Sequence, residues 1–177
     1  MLRLMALRHA TAVPHGSMPD HERILTAQGQ AEAEAVARYC AQEMLLPDLA
    51  LVSPSTRTRQ TFDAVQAAVS DVAALTIPAL YAMQADELLM SLQGLAELAG
   101  AELSRKTHTL MLVGHNPACT ELAQKLVGFG DRYAFARLRD DFPPAGLAVM
   151  DFDIEEWSQM AAGAGRLDRF WIPTSSD

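Results

Sequence analysis

The sequence predicts an α/β fold, a three-layer sandwich built on a mostly parallel central sheet. Short apolar runs of strand length recur along the chain, and segments with helical periodicity follow them. The same strand-then-helix order repeats within 177 residues, which argues for layers of both kinds rather than a bundle or an all-β sandwich. That length suits one domain spanning residues 1–177, with a continuous core.

Leu2 to Leu7 reads as a short buried strand ending at Arg8-His9, and the polar, turn-rich run TAVPHGSMPDHER follows. From Ala27 to Met44 the pattern becomes helical, with Val36, Tyr39 and Cys40 spaced to share a face. Thr26 is the expected N-cap, because its hydroxyl can accept from an otherwise unpaired helix N–H. Pro47 ends this unit before a strand at Leu49 to Val52. Ser53-Pro54 breaks that strand, and a helix is expected from Thr56, with Phe62, Val65 and Val69 facing inward. An extended piece at Leu75 to Ile77 precedes Pro78, and a continuous helix is expected over Asp86 to Leu98, burying Leu88, Leu92 and Leu95.

The most compact strand–helix signal comes next. Thr109 to Val113 forms a strand, Gly114-His115-Asn116 turns, and Pro117 is expected at the first helical position, where a missing N–H costs nothing. Ala148, Met150, Phe152 and Ile154 alternate with less uniformly apolar neighbours, which places this late strand nearer a sheet edge. A short helix at Glu155 to Met160, a flexible turn at AAGAGR and an extended piece at Leu167 to Ile172 complete the chain.

Composition narrows the function. A formal charge of -8 and a pI near 5.0 disfavour a general polyanion-binding surface, and there is no Lys/Arg stripe or nucleic-acid module. The N-terminus has too brief an apolar run for a signal peptide, and no apolar stretch approaches a bilayer span. A soluble, cytoplasmic protein without membrane contact is expected. Cys40 and Cys119 form no CxxC pair and fall in helical patterns, so they read as small buried hydrophobes. The GAG stretch lacks the spacing of a dinucleotide fingerprint. His15, Asp20, His21 and Glu22 lack a regular ligand scaffold, so they read as a polar loop rather than a metal site. Asp151 and Asp153 share a strand face, where exposure is the plain reading. Trp157 and Trp171 read as packing residues. No cofactor and no metal are called for.

The chemistry lies at strand ends. In open α/β sheets the C-terminal ends of strands bring loop residues into a common crevice. His9 follows the first strand, Ser53 to Thr61 begins at the end of the second, and His115 follows a third. His9 could attack phosphorus through a neutral imidazole nitrogen if its other N–H is held. Arg8 could fork onto phosphoryl oxygens with at least one further arginine from the Ser53–Thr61 segment, and His115 could assist the charge that develops there. Such a pocket supplies these effects without magnesium, and no carboxylate-rich magnesium site accompanies it.

Arg8-His9-Ala10 and Gly114-His115-Asn116-Pro117 resemble the two histidine motifs of the histidine phosphatase superfamily. Ser53-Pro54-Ser55-Thr56-Arg57-Thr58-Arg59-Gln60-Thr61 resembles its SPxxRxxQT segment. With Leu25-Thr26-Ala27-Gln28-Gly29 and Phe142-Pro143-Pro144-Ala145-Gly146-Leu147, the chain is similar from Leu2 to Pro173 to the compact phosphohistidine phosphatase branch known as SixA. The resemblance implies that His9 is the nucleophile, Arg8 and Arg57 bind phosphate, and His115 is the second pocket histidine. Arg59, two helical positions from Arg57, points elsewhere. Ile24 stands where this branch often has proline.

Larger members of the superfamily use an acidic residue to protonate an oxygen leaving group. Asp20 and Glu87 are the candidate proton donors here, without an unambiguous motif match. A phosphohistidine substrate relaxes that demand, because its imidazole can leave neutral when the remote nitrogen is protonated. The leading expectation is a metal-independent phosphohistidine phosphatase whose substrate is phosphate-bearing, a phosphohistidine protein among the candidates. A broad small-molecule phosphomonoesterase using Asp20 or Glu87 is the alternative, and a non-catalytic phosphoprotein-binding module is a third reading.

Overall fold

The first strand, β1 (Leu2–Arg8), occupies the centre of the sheet, and its side chains show how the layers arise. In the computed structural model, which describes residues 1–70 and 72–174, Leu2, Leu4 and Ala6 enter one hydrophobic cluster. Met5 and Leu7 enter the cluster on the opposite face. This is the two-residue alternation of a strand with both faces covered. Leu4 and Leu7 have no solvent exposure, and burial of each contributes about 2 kcal/mol. The same partition holds for β2 (Leu49–Val52), β4 (Thr109–Gly114) and β6 (Leu147–Phe152).

With β3 (Ala73–Thr76), β5 (Val127–Gly130) and β7 (Gly165–Trp171), the described residues form a seven-stranded sheet of order β3-β2-β4-β1-β6-β7-β5. The β1–β4, β2–β4, β2–β3 and β5–β7 pairs are parallel, and β6 is antiparallel to both neighbours. One face is covered by α1 (Ala27–Gln42) and α2 (Thr56–Val69), through Val36, Cys40, Phe62 and Val65. The other carries α3 (Ala85–Gln93), α4 (Leu95–Ala99), α5 (Ala101–Lys106), α6 (Ala118–Leu126) and α7 (Arg132–Asp140). The architecture is therefore the expected α/β sandwich around a largely parallel sheet. Thr26 caps α1 by accepting from the Gly29 N–H at 3.0 Å, and Cys40 and Cys119 are both buried.

Several local expectations are corrected. β6 is not near an edge: it lies between β1 and β7, and all six residues are buried. Its apparent polar alternation comes from Asp151, which is 6% exposed and held by Arg3 Nε at 2.7 Å and Arg166 Nη2 at 2.8 Å. Asp153 is exposed, so the two aspartates do not share an environment. The helix expected over Asp86 to Leu98 breaks at Gly94, and Gly100, with φ of 91°, separates α4 from α5. α1 stops at Gln42, and Met44 leaves it in the left-handed region with φ of 54°. Pro117 precedes α6 rather than opening it, and the short helix near Glu155 is a single 3-10 turn at Trp157–Gln159. Trp157 is buried with its indole N–H on the Thr107 carbonyl, and Trp171 stacks on Tyr39.

Candidate active site

Because β1, β2 and β4 run parallel side by side, their C-terminal ends open at one edge of the sheet. His9 leaves β1 with its N–H on the Gly114 carbonyl at 3.1 Å, and its own carbonyl accepts from the Ala145 N–H at 3.2 Å. The backbone that carries it is thus fixed from both sides. Ala10 N–H donates to Thr61 Oγ at 3.0 Å, and Leu25 N–H donates to Gln60 Oε1 at 2.8 Å. The last two residues of the Ser53–Thr61 segment therefore tie both ends of the 10–25 loop to α2.

The tautomer of His9 follows from its partners. Nδ1 lies 2.7 Å from the Ala10 carbonyl, an acceptor only, so Nδ1 carries the proton. Nε2 then keeps its lone pair and receives Arg57 Nε–H at 3.3 Å. Burial pushes the imidazole pKa down to about 3, with His115, Arg57 and Arg8 adding to the shift against the opposing Ala10 bond. His115 stands edge-on to His9 with ring centroids 5.3 Å apart. Its Nδ1 faces Arg57 Nη2 at 3.3 Å, and a guanidinium only donates, so its Nε2–H donates to Ser53 Oγ at 2.7 Å. Burial, then the Arg57 charge, pushes His115 down to about 4.

Arg57 is 5% exposed and reaches across the site, while Arg8 Nη1 and Asn116 Nδ2 share the Phe142 carbonyl at 2.8 and 3.1 Å. Arg8 Nε is buried without a hydrogen-bond partner among the described residues. A cavity of about 470 Å³ exposes Arg8, His9, Arg57, His115, Asp20 and Tyr81 along its wall. Asp20 is the sole carboxylate among its described lining residues, and it is heavily engaged. Oδ2 accepts from the Tyr81 hydroxyl and from Arg57 Nη2 at 3.2 Å, and Oδ1 from Arg23 Nε at 2.9 Å. The Tyr81 hydrogen bond, then those of Arg23 and the Arg57 charge, hold Asp20 well below the usual carboxylate range against the cost of burial.

The structure thus brings together Arg8, His9, Arg57, His115 and Asp20. It does not bring Glu87, whose carboxylate accepts the Gln84 N–H at 2.8 Å in the capping box of α3. Arg59 is exposed, pointing away from Arg57 as its spacing predicts. Sequence reasoning passed over Tyr81, Arg23, Ser53 and the Phe142 carbonyl. Ser53 had a signal, since it opens the Ser53–Thr61 segment. Tyr81 had none, since it ends the 3-10 turn Pro78–Tyr81 beyond β3.

No family model matches the chain. A crystal structure from Agrobacterium tumefaciens, assigned as the phosphohistidine phosphatase SixA, is 31% identical, with a TM-score of 0.76 over 97% of this chain and 98% of the other. A second SixA-assigned structure, from Nakamurella multipartitia, is 24% identical and supports the fold, with a TM-score of 0.82 over 98% and 97%. An uncharacterized chloroplastic protein of Arabidopsis thaliana is 33% identical over 130 residues, 71% of this chain, and the chain spans 59% of that protein's length. The fold extends to mycobacterial glucosyl-3-phosphoglycerate phosphatase, 16% identical with a TM-score of 0.66 over 98% and 99%. The chain belongs to the histidine phosphatase superfamily, and its fold closely resembles the SixA-like phosphohistidine phosphatases. It is a phosphatase of that superfamily.

Proposed function

We propose that this phosphatase hydrolyses phosphohistidine through a covalent phospho-His9 intermediate and needs no metal. His9 Nε2 attacks phosphorus as the substrate's N–P bond breaks, and the substrate imidazole leaves neutral if its remote nitrogen carries a proton. Arg8 and Arg57 bind the phosphoryl oxygens, and His115 lies beside them, where a proton taken up on its Nδ1 as the anion enters turns it into a donor to the developing charge. The Ala10 carbonyl keeps Nδ1 protonated, so phospho-His9 is itself an imidazolium with a good leaving group. Water then attacks phosphorus, the Nε2–P bond breaks, and inorganic phosphate departs with neutral His9 restored. The guanidinium groups supply the positive charge that a divalent ion would otherwise bring.

The observation that carries the substrate assignment is the state of Asp20. The carboxylate lining the cavity is bonded to Tyr81, Arg23 and Arg57 and stays ionised, so it is poorly placed to give a proton to a departing alkoxide. Glu87 is committed to its helix cap. A leaving group that needs no proton fits such a site, and N-phosphoryl chemistry provides one. The competing reading, a small-molecule phosphomonoesterase, draws on the shared fold of glucosyl-3-phosphoglycerate phosphatase.

A substrate panel in the presence of a chelator separates the two. Because positioned acid catalysis supplies about 10²–10⁴-fold, kcat/KM for a phosphohistidine peptide should exceed that for phosphoserine or a sugar phosphate by at least about 100-fold. Asp20→Asn should cost less on the phosphohistidine peptide than on the esters. A preference for an alkyl phosphate, with phosphohistidine cleaved at its spontaneous rate, would replace this reading with the competing one. Activity that vanished in chelator would overturn the metal-independent mechanism.

A further inference from the structure

We propose that Tyr81, acting through Asp20, is a positioning residue that aims Arg57 at the phosphoryl group; the proposal rests on reading Arg57 as part of the phosphoryl clamp. A guanidinium presents two forked edges, one formed by Nε and Nη2 and the other by Nη1 and Nη2. The Nε/Nη2 edge of Arg57 faces His9 Nε2 and His115 Nδ1, each at 3.3 Å. An incoming phosphoryl group must meet the donors on this edge. The other edge is held by one residue at two points: Nη1 donates to the Asp20 carbonyl at 2.6 Å and Nη2 to Asp20 Oδ2 at 3.2 Å.

Asp20 is therefore the far-side anchor of Arg57, and the anchor is itself pinned. Arg23 Nε holds Oδ1 at 2.9 Å, while Arg23 Nη1 is tied to the Val13 carbonyl at 2.8 Å. The Tyr81 hydroxyl donates to Oδ2, the same oxygen that meets Arg57. Tyr81 also stands edge-on to His115, with centroids 5.6 Å apart and rings at 84°. It comes from the turn after β3, whereas Asp20 comes from the loop after β1, and both line the same cavity. The Tyr81–Asp20 bond thus ties together two segments that line the cavity and restrains the carboxylate oxygen against which Arg57 is aimed.

Tyr81→Phe is the informative substitution. It keeps the ring against His115 and leaves every formal charge in place, whereas removing the Asp20 carboxylate would also remove a charge that repels an incoming anion. Tungstate, a tetrahedral oxyanion, serves as the probe and is titrated calorimetrically into wild type, Tyr81→Phe, Arg57→Ala and the double variant. Tyr81→Phe should weaken tungstate by about five- to tenfold, a part of what a hydrogen bond to a charged group can supply. Because the effect passes through Arg57, the double variant should bind within about twofold of Arg57→Ala alone. Unchanged affinity in Tyr81→Phe, or a penalty that persists undiminished without Arg57, would overturn the proposal. If Arg57→Ala itself bound tungstate like wild type, the clamp assignment would fail instead, a result separate from either of these.

Discussion

The nucleophile role proposed for His9 requires a lone pair, and the ring presents one through two independent devices. The Ala10 carbonyl fixes the proton on Nδ1, and burial keeps the ring neutral, with its pKa pushed down to about 3. His115, pushed down to about 4, is neutral over the same range. Both values lie below that of an unfolded histidine, about 6.5. Between that value and the folded pKa the unfolded chain binds protons that the native state refuses, so stability is fully present above the unfolded pKa and declines as pH falls through this window. Imidazole NMR signals of both residues should therefore stay in the neutral form from about pH 8 down to about 5, where a free histidine would titrate. The urea midpoint should fall over the lower part of that range. Titration of His9 near 6.5, with a flat stability profile, would contradict the burial and tautomer assigned here.

At the scale of elements, the site depends on how closely α1 approaches the loop that follows His9. A Cβ on Gly29 would fall 1.9 Å from the Thr11 carbonyl oxygen, and Thr26 N–H donates to that same oxygen at 3.0 Å. Gly29→Ala must therefore push backbone away from backbone, at a cost of about 2–3 kcal/mol, and should lower activity by displacing residues 10–12. Calorimetric unfolding beside an activity assay checks this; an unchanged midpoint would show that the loop yields freely. Gly29 was readable as part of Leu25–Gly29, but its reason, contact with a residue eighteen positions earlier, is tertiary. The same boundary separates what else the sequence made legible. Arg8, His9, Arg57 and His115 sit at strand ends or a helix start, where local pattern fixes position. Tyr81 reaches Asp20 only because β3 and β1 lie in one sheet, and nothing periodic marks it. β6 looked like an edge strand because Asp151 mimics solvent alternation, while its arginine partners come from β1 and β7. β5 escaped notice because Val127–Gly130 holds two glycines in four residues.

For the molecule as a whole, a chain of formal charge -8 concentrates Arg8, Arg23 and Arg57 around one cavity. Acidity elsewhere opposes indiscriminate capture of anions, while the local cluster gives the cavity a positive wall beside His9. Hydrophobic clusters on both faces of the sheet hold β1, β2 and β4 in register, so the strand ends meet at a fixed geometry. No helix among the described residues is long and apolar enough to cross a membrane. The proposed function turns on the transfer of phosphate to His9 Nε2. Rapid quench of the enzyme with a phosphohistidine peptide, followed by mass spectrometry under conditions that preserve acid-labile phosphoramidates, tests that directly. The account predicts a transient adduct on His9, formed in chelator and absent in His9→Ala together with turnover. Full activity in His9→Ala, with no phosphate found on His9 in the wild type, would contradict it.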